Sequence, residues 1–319
     1  MKKLLFVPML FMMLFLSNSC SEKDNEKLNS DPSDGAKIEM SEYSTTIPVS
    51  IDKTEKQAKV AFILSAQFYT IELSNENKAT IELIENAIQE EYPVHIYLKK
   101  GTNEILKVTK ASDAELKHFK TIYTKEVGEI DEKAAKLLNV IPSQAVLNSL
   151  FTSIKNQSCG VATNSCISFR YAVDGCYARA HKMKQILEDA GYSCKKQFVY
   201  GNLKASTGTC CVSWNYHVAV LVSFKNASGV KETRIIDPSL FSNGAVTEQE
   251  WRNACINQSC GSASITTFAN APSNVFYRNS NGKGVIYDKN YAKTDCVLNV
   301  FKDYVACALP APSIGVCGL

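Results

Sequence analysis

The distribution of cysteine constrains this chain more than any other feature. One of its twelve cysteines stands at position 20, none occurs from 21 to 158, and eleven follow from Cys159 to Cys317. Such a density reads as a disulfide framework in a chain that leaves the reducing cytosol. The N-terminus supplies that condition. Lys2 and Lys3 precede an apolar run from Leu4 to Leu16, and small polar residues lead to Cys20. This is the layout of a signal peptide over residues 1–19, too short for a membrane span. Ser17-Asn18-Ser19-Cys20 also has the form of a lipobox, with the usual leucine displaced to Leu16. Lipidation of Cys20 is expected, with plain secretion after cleavage at Ser19 as the alternative. The acidic Ser21-Glu22-Lys23-Asp24 stretch fits an outer-membrane or cell-surface lipoprotein, touching the membrane only through its lipid. Setting Cys20 aside leaves an odd number of cysteines, so one free thiol is expected.

The chain divides again by charge. Residues 21–136 carry a net −6 and residues 137–319 a net +7, although the whole is only +3. Two units of opposite sign can steer onto each other, while the small total indicates no nucleic-acid partner. Residues 20–36 are polar and read as a flexible tether. Residues 37–136 read as a small α+β unit. Lys59–Leu73 is strand-like, Ser74-Asn75-Glu76 is placed to cap a helix over Ala79–Glu90, and Val94–Leu98 with Glu104–Val108 form a hairpin around Gly101. A further helix is expected over Asp113–Thr124, followed by a charged linker, Glu126–Lys136, open to proteolysis. The second unit, 137–319, has no glycine-rich phosphate loop and no Cys-x-x-Cys pair for zinc, so neither metal nor cofactor is expected. Adjacent Cys210 and Cys211 are each expected to find a distant partner.

The chemistry concentrates around Cys176. Met183, Ile186, Leu187 and Ala190 recur at helical spacing and Gly191 stops them, giving a helix over Cys176–Ala190 with Asp174 as its cap. Cys176 then sits in the first turn, where free N–H groups and the helix dipole favour a thiolate. Its backbone N–H is a candidate oxyanion donor. A thiol nucleophile needs a histidine base. Of the four histidines, His95 and His118 lie in the other unit, and His181 is five residues along the helix and points elsewhere. His217 remains. The strands His217–Phe224 and Val230–Asp237 flank a five-residue loop, Lys225–Gly229, and pairing Phe224 with Val230 sets His217 opposite Asp237. A carboxylate there orients the imidazole.

These residues resemble the bacterial secreted protein-glutaminases. The likeness spans 137–319 and runs through Asn156-Gln-Ser-Cys-Gly160, Asp174-Gly-Cys-Tyr-Ala-Arg-Ala-His-Lys-Met183, and the stretch from Lys196 to Cys211. It continues through Tyr216-His-Val-Ala-Val-Leu-Val222, Arg234-Ile-Ile-Asp-Pro-Ser-Leu-Phe241 and Trp251-Arg-Asn-Ala-Cys255. The resemblance implies a papain- or transglutaminase-like α+β catalytic domain that is disulfide-rich and preceded by an α+β pro-domain. It places the family's Cys-His-Asp triad on Cys176, His217 and Asp237. It also implies removal of the pro-region near Leu137 by an activating protease. The reaction implied is deamidation of protein-bound glutamine to glutamate with release of ammonia, on protein or peptide substrates with exposed glutamine. Familiar members are freely secreted, so a lipid on Cys20 departs from their pattern.

The triad alone leaves other chemistries open: a papain-like protease, a transglutaminase, or a non-catalytic disulfide-rich surface lipoprotein. The pro-region, opposite in charge to the second unit, is expected to act as an intramolecular inhibitor, with high effective concentration in one chain. Its extended run Ala61–Phe68 is the candidate plug, with Ser65, Ala66 and Gln67 near Cys176 as a substrate mimic.

Overall fold

The computed structural model describes residues 39–123, 134–161, 166–305 and 307–319. The signal peptide, Cys20, the tether and most of the Glu126–Lys136 linker lie outside the described residues. Among the described residues, no helix is long and apolar enough to cross a membrane.

The first half of the chain builds two small antiparallel sheets. Strands β1 (Met40–Thr46), β2 (Pro48–Lys53), β3 (Gln57–Phe62) and β4 (Tyr69–Glu72) are followed by α1 (Lys78–Glu90), β5 (Val94–Lys99), β6 (Ile105–Lys110) and α2 (Asp113–Ile122). The sheet orders are β2-β3-β4 and β1-β5-β6. In β5, Val94, Ile96 and Leu98 are buried and alternate with partly exposed residues, as a half-covered strand requires. On α1 the buried residues are Ile81, Ile84 and Ala87, one stripe of the helix. These side chains close a core of their own with Val60, Tyr69 and Ile71.

Two local expectations change here. The cap of α1 is Asn77, without a side-chain cap bond, and the helix starts at Lys78, so Ser74-Asn75-Glu76 is a turn before it. The Lys59–Leu73 run is two strands, because β3 ends at Phe62 and β4 begins at Tyr69. Between them Leu64 takes a left-handed φ of 56°, which carries 63–68 out of the sheet. By contrast α2 has a full capping box, Ser112 with Glu115.

The second half comprises α3 (Gln144–Lys155), α4 (Cys176–Asp189), β7 (Lys195–Ser206), β8 (Cys211–Lys225), β9 (Lys231–Ile236), α5 (Glu248–Ala254), β10 (Ser264–Pro272), β11 (Val275–Arg278), β12 (Val285–Tyr287) and α6 (Ala292–Phe301). Its main sheet is antiparallel, in the order β10-β7-β8-β9. Tyr216 through Val222 on β8 are all buried. Successive side chains point to opposite faces, so both faces of this strand are covered. Helix α4 packs against β8, and α5 against β7 and β9. Strand β7 bends at Gly201, where a Cβ would lie 2.2 Å from the Ser264 carbonyl oxygen of β10; only glycine permits that approach.

Residues 39–319 form one compact unit. Ile47, Ile63, Leu64, Ala66 and Phe119 of the first half are buried in the same cluster as α4 and β8. Four disulfides bind the second half: Cys159–Cys166, Cys210–Cys307, Cys211–Cys260 and Cys296–Cys317. The adjacent cysteines do take separate distant partners. The expectation of one unbridged thiol is corrected: Cys176, Cys194 and Cys255 are all buried and stand outside the four disulfides. Cysteine parity therefore selects no nucleophile; only surroundings can.

Candidate active site

Helix α4 begins at Cys176 because the residue before it can turn left-handed. Gly175 is the N-cap at φ 77°, and a Cβ on it would meet the Phe301 ring at 2.6 Å. Asp174, expected as the cap, makes no cap bond. Its Oδ1 instead accepts the N–H of Gly175 at 2.7 Å and of Ala66 at 3.1 Å, and its Oδ2 accepts the Ser65 hydroxyl at 2.8 Å. Burial is the main influence on this carboxyl and pushes its pKa up. The loop before α4 is fastened by the buried Arg179, which donates to the carbonyls of Tyr171 and Asp174.

Cys176 is 2% exposed. Burial pushes its thiol from an ordinary 9.0 up to about 12, against the Arg179 charge and the Val218 N–H, which both favour the thiolate. The expected lowering by the helix N-terminus is thus overridden in this state of the protein. A buried thiolate loses more hydration than first-turn amides return.

His217 and Asp237 meet, but not through the register the sequence suggested. Phe224 pairs with Glu232, and Lys225 with Lys231. The hairpin loop is Asn226–Val230, braced by the Asn226 side chain, which accepts from Ser228 and Val230. This shifts the pairing by two residues. A two-residue shift keeps side chains on the same face and makes His217 and Asp237 diagonal neighbours. Nε2 of His217 lies 2.7 Å from Oδ2 of Asp237, and the Trp251 indole N–H donates to the same oxygen at 2.9 Å. Burial raises the Asp237 pKa, yet His217 and the Trp251 donor outweigh it and hold the group below its ordinary range. An ionised carboxylate only accepts, so Nε2 is assigned the proton and Nδ1 the lone pair. Nδ1 is buried without a hydrogen-bond partner. Trp214 stacks on the imidazole at 4.4 Å, and Trp251 lies tilted at 5.5 Å.

His181 stands apart. Its ring bonds to the Asp288 carbonyl and to the buried Lys196 ammonium.

The structure brings Ser65, Ala66 and Gln67 to this site. All three are buried. Beyond the Asp174 contacts, the Asn215 amide N–H donates to the Ala66 carbonyl at 2.7 Å. The Asn215 side chain donates to the carbonyls of Ser65 and Gln67, at 3.0 and 2.8 Å. Asn215 and Asp174 each stand two positions before His217 and Cys176. Beside the segment, an open cleft of about 540 Å³ is lined by Phe68, Tyr200, Asn215, Tyr216 and Tyr277 among others. Sequence reasoning missed Trp214, Asn215 and Arg179. Asn215 stands two positions before His217 on β8, the spacing that puts strand side chains on one face, which is the signal that could have found it.

Residues 147–255 match the family model described as Glutaminase. Among solved structures, a mutant of pro-protein-glutaminase is 55% identical, covering 88% of this chain and 100% of that one, with a TM-score of 0.83. Pro-protein-glutaminase itself is 55% identical over 88% and 99%, with a TM-score of 0.82. The NMR structure of protein-glutaminase from Chryseobacterium proteolyticum is 62% identical over 57% of this chain and 100% of that one, with a TM-score of 0.54. No curated protein matches the chain.

Proposed function

Since the chain belongs to the protein-glutaminase family and is built as its precursor, we propose that it deamidates protein-bound glutamine through Cys176, His217 and Asp237, and that Ser65-Ala66-Gln67 silences it as a substrate mimic. The reading rests above all on the two nitrogens of His217. One is engaged by Asp237, the other is free of hydrogen bonds, and the next residue's N–H favours the Cys176 thiolate.

In the proposed reaction Nδ1 of His217 takes the thiol proton as the sulfur attacks the side-chain amide carbon. The Cys176 N–H holds the resulting oxyanion. The imidazolium then gives its proton to the leaving nitrogen, and ammonia departs from a thioester. Water, deprotonated by His217, attacks that thioester; the sulfur leaves and glutamate is released. Asp237, itself held by the Trp251 N–H, keeps the ring in one orientation and stabilises the imidazolium. We read the nucleophile-bearing helix packed on an antiparallel sheet as a papain/transglutaminase-type arrangement.

We further propose that an extracellular protease cuts near Leu137. Leu138 is already bonded to Gly191 and Ser193, and Ile141 to Ser223 and Lys225, so the segment after the cut stays with the catalytic part. A lipid on Cys20 and a cell-surface or secreted location complete the proposal, and palmitate labelling tests the lipid.

The functional test is incubation of the protease-treated chain with casein. Ammonia without new peptides or crosslinks supports the deamidase. New peptides indicate a protease, crosslinks a transglutaminase, and no reaction a binding protein. Persistent ammonia release by Cys176→Ala overturns the triad.

A further inference from the structure

Ala66 is gripped by its main chain. Its N–H goes to the Asp174 carboxylate and its carbonyl accepts the Asn215 N–H, while the Asn215 side chain takes the carbonyls before and after it. None of these bonds reads a side chain. Asp174 is buried and would lose two of its three donors if the segment left. A buried carboxylate stripped of donors is costly, so the site is suited to another chain carrying the same groups. The Gln67 N–H, by contrast, turns inward to the Ser65 hydroxyl of its own segment.

We propose that Asp174 and Asn215 form the main-chain clamp for the glutamine being deamidated. The proposal rests on the reading above, with Ala66 standing where that glutamine would sit. Selectivity for glutamine inside a chain follows from it. The target must offer an N–H to Asp174, and its neighbours must offer carbonyls to Asn215. The N–H of the following residue is not read, so proline is acceptable there.

The test uses the protease-treated chain and four small substrates: acetyl-Gln-Gly-amide, acetyl-Gln-amide, the first peptide N-methylated on glutamine, and acetyl-Gln-Pro-amide. Acetyl-Gln-amide lacks the following carbonyl and should lose roughly tenfold in kcat/KM, mostly through KM, as one lost hydrogen bond dictates. N-methylation of glutamine should cost at least as much, whereas proline after it should cost little. In Asn215→Ala the advantage of acetyl-Gln-Gly-amide over acetyl-Gln-amide should vanish. Retention of that advantage in the variant, or equal turnover of the N-methylated peptide, overturns the clamp. Should Asn215→Ala fail to fold, the substrate series on the unaltered protein decides alone. Activity in Cys176→Ala would strike the triad; a dead Cys176→Ala with indifference to N-methylation would strike only the clamp.

Discussion

Removal of the pro-region should raise the ionised fraction of one thiol, by up to about three orders of magnitude. With the segment docked, Cys176 is 2% exposed and its thiol is pushed to about 12. At pH 8 a thiol at 12 is ionised in about one molecule in ten thousand, against about one in ten at its ordinary 9.0. Once the segment leaves, burial weakens while Arg179, the Val218 N–H and the helix N-terminus remain, so the thiolate fraction rises, by up to about a thousandfold if the thiol returns to its ordinary 9.0. Iodoacetamide reacts with thiolate alone. Alkylation timed before and after limited proteolysis, with peptide mapping to separate Cys176 from Cys194 and Cys255, reads this directly. Equal Cys176 rates in both forms would refute the reasoning. The same burial gives docking a defined pH dependence. The docked state holds its proton more tightly, so its stability is intact below about 9 and declines as pH rises toward 12.

Asp237→Asn should reduce ammonia release by two or more orders of magnitude while keeping more activity than His217→Ala, since it disturbs the imidazole's tautomer and not the base itself; initial rates at saturating substrate compare them. Gly175→Ala forces a left-handed φ on a residue with a Cβ and drives it into Phe301, costing about 2–4 kcal/mol in denaturant unfolding; a change under about 0.5 kcal/mol would contradict the account of the α4 start. His181→Ala should leave kcat per folded molecule almost unchanged but lower Tm, because it strips a partner from buried Lys196. Ala66→Glu should raise the activity of the uncut precursor, as a charge cannot occupy that buried position; an equally silent precursor would mean another segment plugs the site.

Local rules read from the sequence carried far along this chain. The helical stripe ending at Gly191 located α4 to within a residue of its end, because periodicity and a glycine stop are properties of the segment alone. Elimination among four histidines reached His217, which does contact Asp237. The cysteine density indicated a disulfide framework, and adjacent Cys210 and Cys211 indicated separate partners.

Tertiary structure decided what depends on more than one segment. The hairpin register moved by two residues because Asn226, and not Lys225, opens the turn; the His217–Asp237 contact survived only because an even shift preserves the face. Asp174 gave up its capping role because Ala66 and Ser65, more than a hundred residues earlier, supply it with donors. The thiol of Cys176 is held neutral by burial, although its place at a helix start favours the opposite, since dehydration depends on everything packed around the sulfur. Bridging eight of the eleven late cysteines and leaving three outside disulfides was likewise a matter of which Cα atoms the fold brings within bridging distance. The order of residues thus determined most elements and the residue types at the site, while long-range packing determined their protonation and their partners.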